Sequence, residues 1–333
     1  MFHCYQLTAD CNWLKDYAVR TQTGVIATTD FRDGFIPGEK WIVAVICRIK
    51  KYFIFFLLII NMIKIKLILF FLVAAFTAFG SGGEGVKADK KLISVIKKYD
   101  PVSKTVYYLT YVPHQDVNGK LLKLNLEMTI DSAGETVVNF AERKNNPLLA
   151  TNGSQGIPGL KPGRVQSAGI QIVNRKVIQD VVYKPYAHTL GIKDDNELTY
   201  FKPSTRAQEM LDAGVNNALC GFVPLIVDFK PVSDEILTIL KGVQEAHPRQ
   251  IVAQFENLDL LFLSCGGRGF DGVGMSATDV IRILEKQNRP IKFAFMLDGG
   301  GSVTTVVNGH LITKKIDKKG KALRSRGNFL YIE

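Results

Sequence analysis

Asp298, Gly299, Gly300, Gly301 and Ser302 close the stretch "FAFMLDGGGS", an order that poses a chemical question. An aspartate that ends an apolar run and is followed by three glycines sets a carboxylate beside backbone N–H groups that no side chain covers. Successive open amides form a concave nest suited to an anion such as phosphate, and a carboxylate next to it can act as acid, base or nucleophile. Two arginines fit the same account. Arg249 stands in "HPRQIVAQ" ahead of a predicted strand, and Arg268 in the loop "GGRGFDGVG". Each carries the planar fork that clamps phosphate oxygens in pairs. Together these residues describe a pocket for an acidic ligand.

Other chemistries lack their motifs. The chain has no P-loop, no HExxH and no CxxC pair, and its five histidines are scattered. The run Gly300-Gly301-Ser302-Val303-Thr304 lacks the second glycine of a GxSxG elbow, so Ser302 reads as part of the nest and not as a nucleophile. Residues 267–272 do satisfy GxGxxG. A dinucleotide fold, however, begins its helix inside the glycine turn to meet the pyrophosphate, whereas here the cap signal comes only at Ser276. Asp298, Asp271 and loop carbonyls offer hard oxygen ligands to a calcium-like ion, but no spacing demands a metal and no cofactor is required.

The elements that must hold these residues follow from hydrophobic period. "LDLLFLSC" (258–265) and "IKFAFML" (291–297) are apolar runs of strand length, and "SATDVIRILEKQN" (276–288) is a helix with Ser276 as cap and Val280, Ile283 and Leu284 on one face. Strand, glycine loop, helix, strand is a βαβ-like unit, which places ligands at the carboxyl ends of its strands. Upstream, strand signals dominate. "GIQIVNRKVIQDVVY" is a hairpin pivoting near Asn174, Asn118-Gly119 is a turn, and Asn308-Gly309 makes a type I′ hairpin before "HLITKK". Further helices are expected in "ETVVNFAERKNN", "PSTRAQEMLDAG" and "VSDEILTILKGVQEA". The fold class is α+β: a mixed, strand-rich single domain over 89–333.

The net charge is +11, but the basic residues are spread along the chain, so nucleic acid is not an expected partner. Met62, Lys64 and Lys66, the apolar run Leu67–Phe79 and the small, polar residues after it follow the order of a secretory signal over 62–88. That run is short of the roughly 20 residues a spanning helix needs, so a membrane would be met only through residues 53–79, if they stay uncleaved as an anchor. The expected location is secreted or extracytoplasmic. Residues 1–61 read as a doubtful leader from an over-extended gene start. Cys220 and Cys265 are the only cysteines of the body, as a disulfide or as two buried thiols.

"NPLLATNGS", "LCGFVPLI", "HPRQIVAQFENLDLLFLSCGGRG" and "FAFMLDGGGSVTTVVNG", with "RSRGNFLYIE" at the end, resemble in this order the phosphodiester glycosidase family. The resemblance covers roughly 105–333 and implies hydrolysis of a sugar 1-phosphodiester in a phosphorylated glycan, with release of the sugar. By position, Asn152, Arg249 and Arg268 match family residues, and Asp298 to Ser302 match its LDGGGS signature. Glycoside cleavage generally uses two carboxyl groups. Asp298 is then the principal one, with Asp271 or Asp279 second, while Arg249 and Arg268 bind phosphate and Asn152 bonds to sugar or phosphate. Simpler roles compete: Asp279 as the partner of the Ser276 cap, Asn152 as a turn residue before Gly153. Gly266 stands where relatives carry the aspartate of Asp-Gly-Arg. That departure motivates a second reading, a secreted or phage-associated glycan-binding module that kept the fold and lost catalysis.

Overall fold

The computed structural model describes residues 92–333, which fall in one contact unit, Lys87–Glu333. The leader, the secretory pattern and the anchor alternative lie outside the described residues. No helix among the described residues is long and apolar enough to cross a membrane.

Three antiparallel sheets make a strand-rich α+β fold. The largest has seven strands in the order Ser94–Asp100, Thr105–Val112, Leu260–Cys265, Arg249–Phe255, Ile291–Met296, Pro224–Val227 and Lys230–Pro231. Its central register sets Leu263, Ile251 and Met296 in one row and Phe262, Val252 and Phe295 in the next. The first row packs into one core and the second into another, on the opposite face. A strand buried on both faces needs no polar alternation, which is why 258–265 and 291–297 read as unbroken apolar runs.

Helix Ala277–Glu285 connects strands Leu260–Cys265 and Ile291–Met296, which run parallel to each other. They are not neighbours, because Arg249–Phe255 lies between them and is antiparallel to both. The βαβ-like unit is thus a crossover spanning an intervening strand that comes earlier in the chain. Its consequence is local: the carboxyl ends of the two parallel strands and the amino end of Arg249–Phe255 share one sheet edge, with Arg249 opposite Cys265.

The second sheet has the order His310–Leu311, Thr305–Val307, Leu149–Asn152, Asn328–Ile332 and Leu124–Met128. The third has Lys176–Gln179, Gln171–Val173, Val215–Cys220, Thr189–Lys193 and Leu198–Phe201. The hairpins at Asn174-Arg175 and Asn308-Gly309 have positive φ at both turn residues, 48° and 63° in one and 48° and 77° in the other, as a type I′ turn requires. Helices Val137–Arg143 and Ala207–Asp212 form where expected. "VSDEILTILKGVQEA", in contrast, breaks into Asp234–Thr238 and Lys241–Gln244, because Leu240 is extended at φ −136° and ψ 121°. Carbonyls in and just after the second piece, those of Gly242, Val243 and Glu245, meet Arg249. Cys220 and Cys265 are free and buried, and burial pushes both thiols up to about 12.

Candidate functional site

Pro248 is the wedge around which the site is built. Its carbonyl accepts the Gly300 N–H at 2.9 Å, and its ring lies 2.7 Å from where a Cβ on Gly267 would stand. A Cβ on Gly299 would meet the same carbonyl at 2.6 Å. Both glycine loops therefore pack on the HPR element closely enough to exclude side chains. Gly300 has φ +62°, and the Arg268 Nη2 lies 2.9 Å from its missing Cβ, so the Arg268 fork covers the glycine turn.

A cavity of about 200 Å³ opens here, lined by Phe222, His247, Arg249, Arg268, Asp298, Gly299, Gly300 and Arg324 with Gly242. Asp298, Arg249, Arg268, Gly299 and Gly300 were expected together and are together. Three of the lining side chains are guanidinium groups and one is a carboxylate, so the site favours an anion. The Gly299 N–H donates to none of the described residues, which leaves an amide for that anion.

Asp298 is 8 % exposed, and its Oδ2 receives the Arg326 Nη2 at 2.8 Å. Its N–H donates to the Gly153 carbonyl, and its own carbonyl accepts from Asn152 Nδ2 at 2.8 Å. Asn152 Oδ1 accepts the Thr304 N–H at 3.1 Å. Asn152 is fully buried and lies outside the cavity lining. It is thus neither a turn residue nor placed to touch a ligand: its amide clamps both ends of the glycine turn, because strand Leu149–Asn152 runs beneath it.

Arg249 is 3 % exposed and has no carboxylate partner among the described residues. Its Nε donates to the Met275 carbonyl at 2.8 Å and its Nη2 to the carbonyls of Gly242, Val243 and Glu245 at 2.6, 3.0 and 2.7 Å. Burial pulls this guanidinium down to about 10, which still leaves it charged at neutral pH. Carbonyl dipoles hold the cation without cancelling it, so its charge reaches the cavity, while among the described residues Nη1 meets only Met296 Sδ, at 3.4 Å. Burial and the neighbouring Arg249 and Arg268 charges hold the His247 imidazole below its usual range.

Asp271 and Asp279 stand elsewhere. The Asp271 carboxylate accepts from the Tyr108 hydroxyl at 3.0 Å, and burial together with this bond raises the tyrosine to about 12. A Cβ on Gly266 would strike the Phe270 carbonyl oxygen and sit 2.5 Å from the Asp271 Cβ, so the backbone of the following loop and Asp271 leave no room for a side chain at 266. Its carboxylate nevertheless turns to the Tyr108 side and not to the cavity. Asp279 closes the capping box with Ser276 and binds Arg282 at 3.1 Å; burial opposes its ionisation, but these bonds hold its carboxyl below the usual range. The helix start consumes it. Gly301 and Ser302 lie behind the lining: a Cβ on Gly301 would strike Asp317 Oδ1 and Arg324 Nη2.

Arg324 and Arg326 were not foreseen. Arg324 forms a bidentate pair with Asp317 at 2.9 and 2.7 Å, which raises the arginine, and its Nη1 reaches Ser302 Oγ at 3.5 Å. Arg326 is the partner of Asp298. The signal was present in "RSRGNF", two arginines at a spacing of two before a strand, which points both to one side of an extended chain. Among the described residues no group of three or more His, Cys, Asp or Glu could hold a metal ion.

The sequence profile of a family described as phosphodiester glycosidase matches residues 133–333. A curated relative, the SPbeta prophage-derived uncharacterized protein YomE of Bacillus subtilis strain 168, is 25 % identical over 242 residues, 66 % of this chain and 35 % of the relative. The chain therefore spans about a third of the length of the curated relative it matches. Among solved structures, the catalytic domain of zebrafish N-acetylglucosamine-1-phosphodiester alpha-N-acetylglucosaminidase, auto-inhibited by its pro-peptide, is similar with a TM-score of 0.58. It is 19 % identical, covering 76 % of this chain and 87 % of that one. A hypothetical protein from Synechocystis is similar with a TM-score of 0.55 at 11 % identity, covering 72 % of this chain and 62 % of that one. Both likenesses are of fold.

Proposed function

Because the chain belongs to the phosphodiester glycosidase family, a family of hydrolases that act on phosphodiester-linked glycans, we propose that it cleaves a sugar 1-phosphodiester at the bond between the anomeric carbon and phosphate. The observation that carries this reading is the composition of the cavity: one carboxylate, Asp298, among three arginines. The phosphate is the leaving group. Arg268, Arg324 and the Gly299 amide receive its oxygens and stabilise the charge that grows on them as the C1–O bond breaks. Such a leaving group needs little protonation, so a second carboxyl group in the cavity is dispensable, in keeping with the placement of Asp271 and Asp279 outside it.

Asp298 serves the anomeric carbon. Arg326 holds Oδ2, while Oδ1 accepts from none of the described groups and is free to act. Water adds its oxygen to C1, one proton of that water passes to a carboxylate oxygen, and the C1–O electron pair leaves with the phosphomonoester. The anomer released separates the two ways Asp298 can do this: inversion if it activates water directly, retention if it first bonds to C1. The N-acetylglucosamine 1-phosphodiester named for the zebrafish relative belongs in the substrate panel. Export through the pattern at 62–88 is part of the proposal and rests on the sequence alone.

The experiment incubates the parent protein and its Asp298→Asn variant with sugar 1-phosphodiesters and measures released reducing sugar. Loss of a positioned carboxylate of this kind lowers turnover by about 10²–10⁴-fold. A folded parent that releases no sugar from any member while retaining glycan would instead favour the binding-module reading, whose support is Gly266.

A further inference from the structure

His247 lines the cavity with Asp298 and the arginines, yet the chemistry proposed above gives it no part. Of the lining side chains it alone is of a type that changes charge near neutral pH. Its main chain is clamped: the His247 N–H donates to the Met275 carbonyl at 3.2 Å, its carbonyl accepts the Met275 N–H at 2.9 Å, and a Cβ on Gly274 would stand 2.7 Å from its backbone. The ring is held by a carboxylate. Nε2 lies 3.3 Å from Glu245 Oε2, since the extended chain at Glu245 turns residues 245 and 247 to one side. Nδ1 has no partner among the described residues, and the side chain is 35 % exposed. A carboxylate that orients one ring nitrogen and leaves the other open is the arrangement of a proton-transfer imidazole.

Cavity size limits what the open nitrogen can meet. About 200 Å³ holds little more than a phosphate and the ring attached to it, so a lining side chain faces one or the other. The charges around the imidazole point to the phosphate. Glu245, itself shared with Lys241, faces it from its own segment, Arg249 from the strand that follows and Arg268 from the glycine loop. Asp298 and Arg324 line the same space, and the Cys265 thiol, pushed up to about 12 and so neutral, lies 3.8 Å from the His247 carbonyl. Arg268 thus acts on the imidazole and, in the reading above, on the phosphate. Burial, then the Arg249 and Arg268 charges, hold the imidazole below its ordinary 6.5. The second ionisation of a phosphate lies at about 6, so a proton passes between the two at little cost.

We propose that His247, oriented by Glu245, is the general acid of the reaction and hands its Nδ1 proton to the phosphate oxygen that leaves the anomeric carbon. The proposal rests on the glycosidase reading of the cavity. As the C1–O bond breaks, its electron pair goes to that oxygen and the imidazolium proton follows, so the phosphomonoester departs with one negative charge. The proton that water loses at Asp298 passes to solvent, and solvent returns one to the imidazole. Three arginines would hold a doubly charged product more tightly, so the transfer eases its release. An imidazole fills the place of the second carboxyl group that the cavity lacks.

The pH dependence of turnover tests this, read on the parent, His247→Gln and Glu245→Gln with sugar 1-phosphodiesters. The imidazolium is the active form, so the parent's kcat/KM falls as pH rises through a value below 6.5. In kcat the fall comes at higher pH, because bound phosphate favours the cation. His247→Gln should be slower by about 10²-fold and lose the fall, with an unchanged thermal melt. Glu245→Gln should keep the fall and move it to lower pH. Independently of turnover, inorganic phosphate should raise the pH at which the His247 resonance titrates in histidine-labelled protein. A parent that releases sugar beside a His247→Gln variant with the same rate and profile overturns the proposal and leaves the glycosidase reading standing. An unshifted His247 resonance overturns it whatever the rates. A parent that releases no sugar, even with the resonance shifted, sinks the glycosidase reading and the acid role with it.

Discussion

Arg268 shows how much one residue can disclose. It is exposed, makes no ion pair among the described residues, and lies across Gly300 at the mouth of the cavity. A cation held by backbone geometry and left unpaired is available to a ligand, which is why a loop arginine between glycines was legible from sequence as a phosphate binder. Arg249 was legible in position, but not that its fork would meet the carbonyls in and just after helix Lys241–Gln244, a short element that no periodicity reveals. For Arg326 the spacing in "RSRGNF" was legible but its partner was not, since the pairing with Asp298 depends on a strand register formed by residues far apart in the chain. Arg268→Gln should leave the melting temperature unchanged. It should lower kcat/KM for a sugar 1-phosphodiester by about 10²–10³-fold, the usual effect of removing one donor from a developing oxyanion. Steady-state kinetics beside a thermal melt would check both; full activity in the variant would remove Arg268 from phosphate binding.

Among the elements, the edge strand Ser94–Asp100 pairs along its length with Thr105–Val112 and gains a further tie from one side chain at its end. Asp100 is 6 % exposed and holds Arg282 of helix Ala277–Glu285 through both oxygens, at 3.0 and 2.7 Å, while accepting from Ser103. The strand's other residues are exposed, so this pair anchors it to the helix that spans the two central strands of the site. Arg282 lowers the Asp100 carboxyl far below its ordinary value of 3.8. A depressed folded value contributes stability that is present above 3.8 and is lost as pH falls through the folded value. Asp100→Asn should therefore cost about 2 kcal/mol near neutral pH, in the range for hydrogen bonds to charged groups, and the gap to the parent should narrow below pH 3.8. Urea titrations across that interval measure it, and a gap that stays constant down to the most acid folded condition would deny the linkage. The strand itself carries no amphipathic signal, and neither sequence nor propensity announces that an aspartate will tie it to the helix.

For the whole molecule the decisive contact joins sheets. Asn328, fully buried in the second sheet, donates through Nδ2 to Ser154 Oγ at 2.8 Å and to Gln171 Oε1, in the third sheet, at 2.7 Å. Its Oδ1 accepts the Ser154 N–H at 2.7 Å. The neighbouring Gly153 carbonyl accepts the Asp298 N–H, and the Ser154 carbonyl accepts Arg326 Nη2 at 3.2 Å. One amide thus ties two sheets together behind the carboxylate and its arginine. The strands themselves were legible, because alternation and turn residues are local; the join was not, since "GNFLYI" shows a polar residue at a strand start and nothing of what it meets. Asn328→Ala leaves buried donors and acceptors unpaired and should destabilise the chain by about 3 kcal/mol. Because the same residues position Asp298, turnover should fall even at temperatures where the variant is fully folded. Chemical denaturation and kinetics on one preparation read both effects. Lost stability with intact turnover would show that the sheets can separate at this point without moving the carboxylate, and the site would then owe its geometry to Pro248 and Asn152 alone.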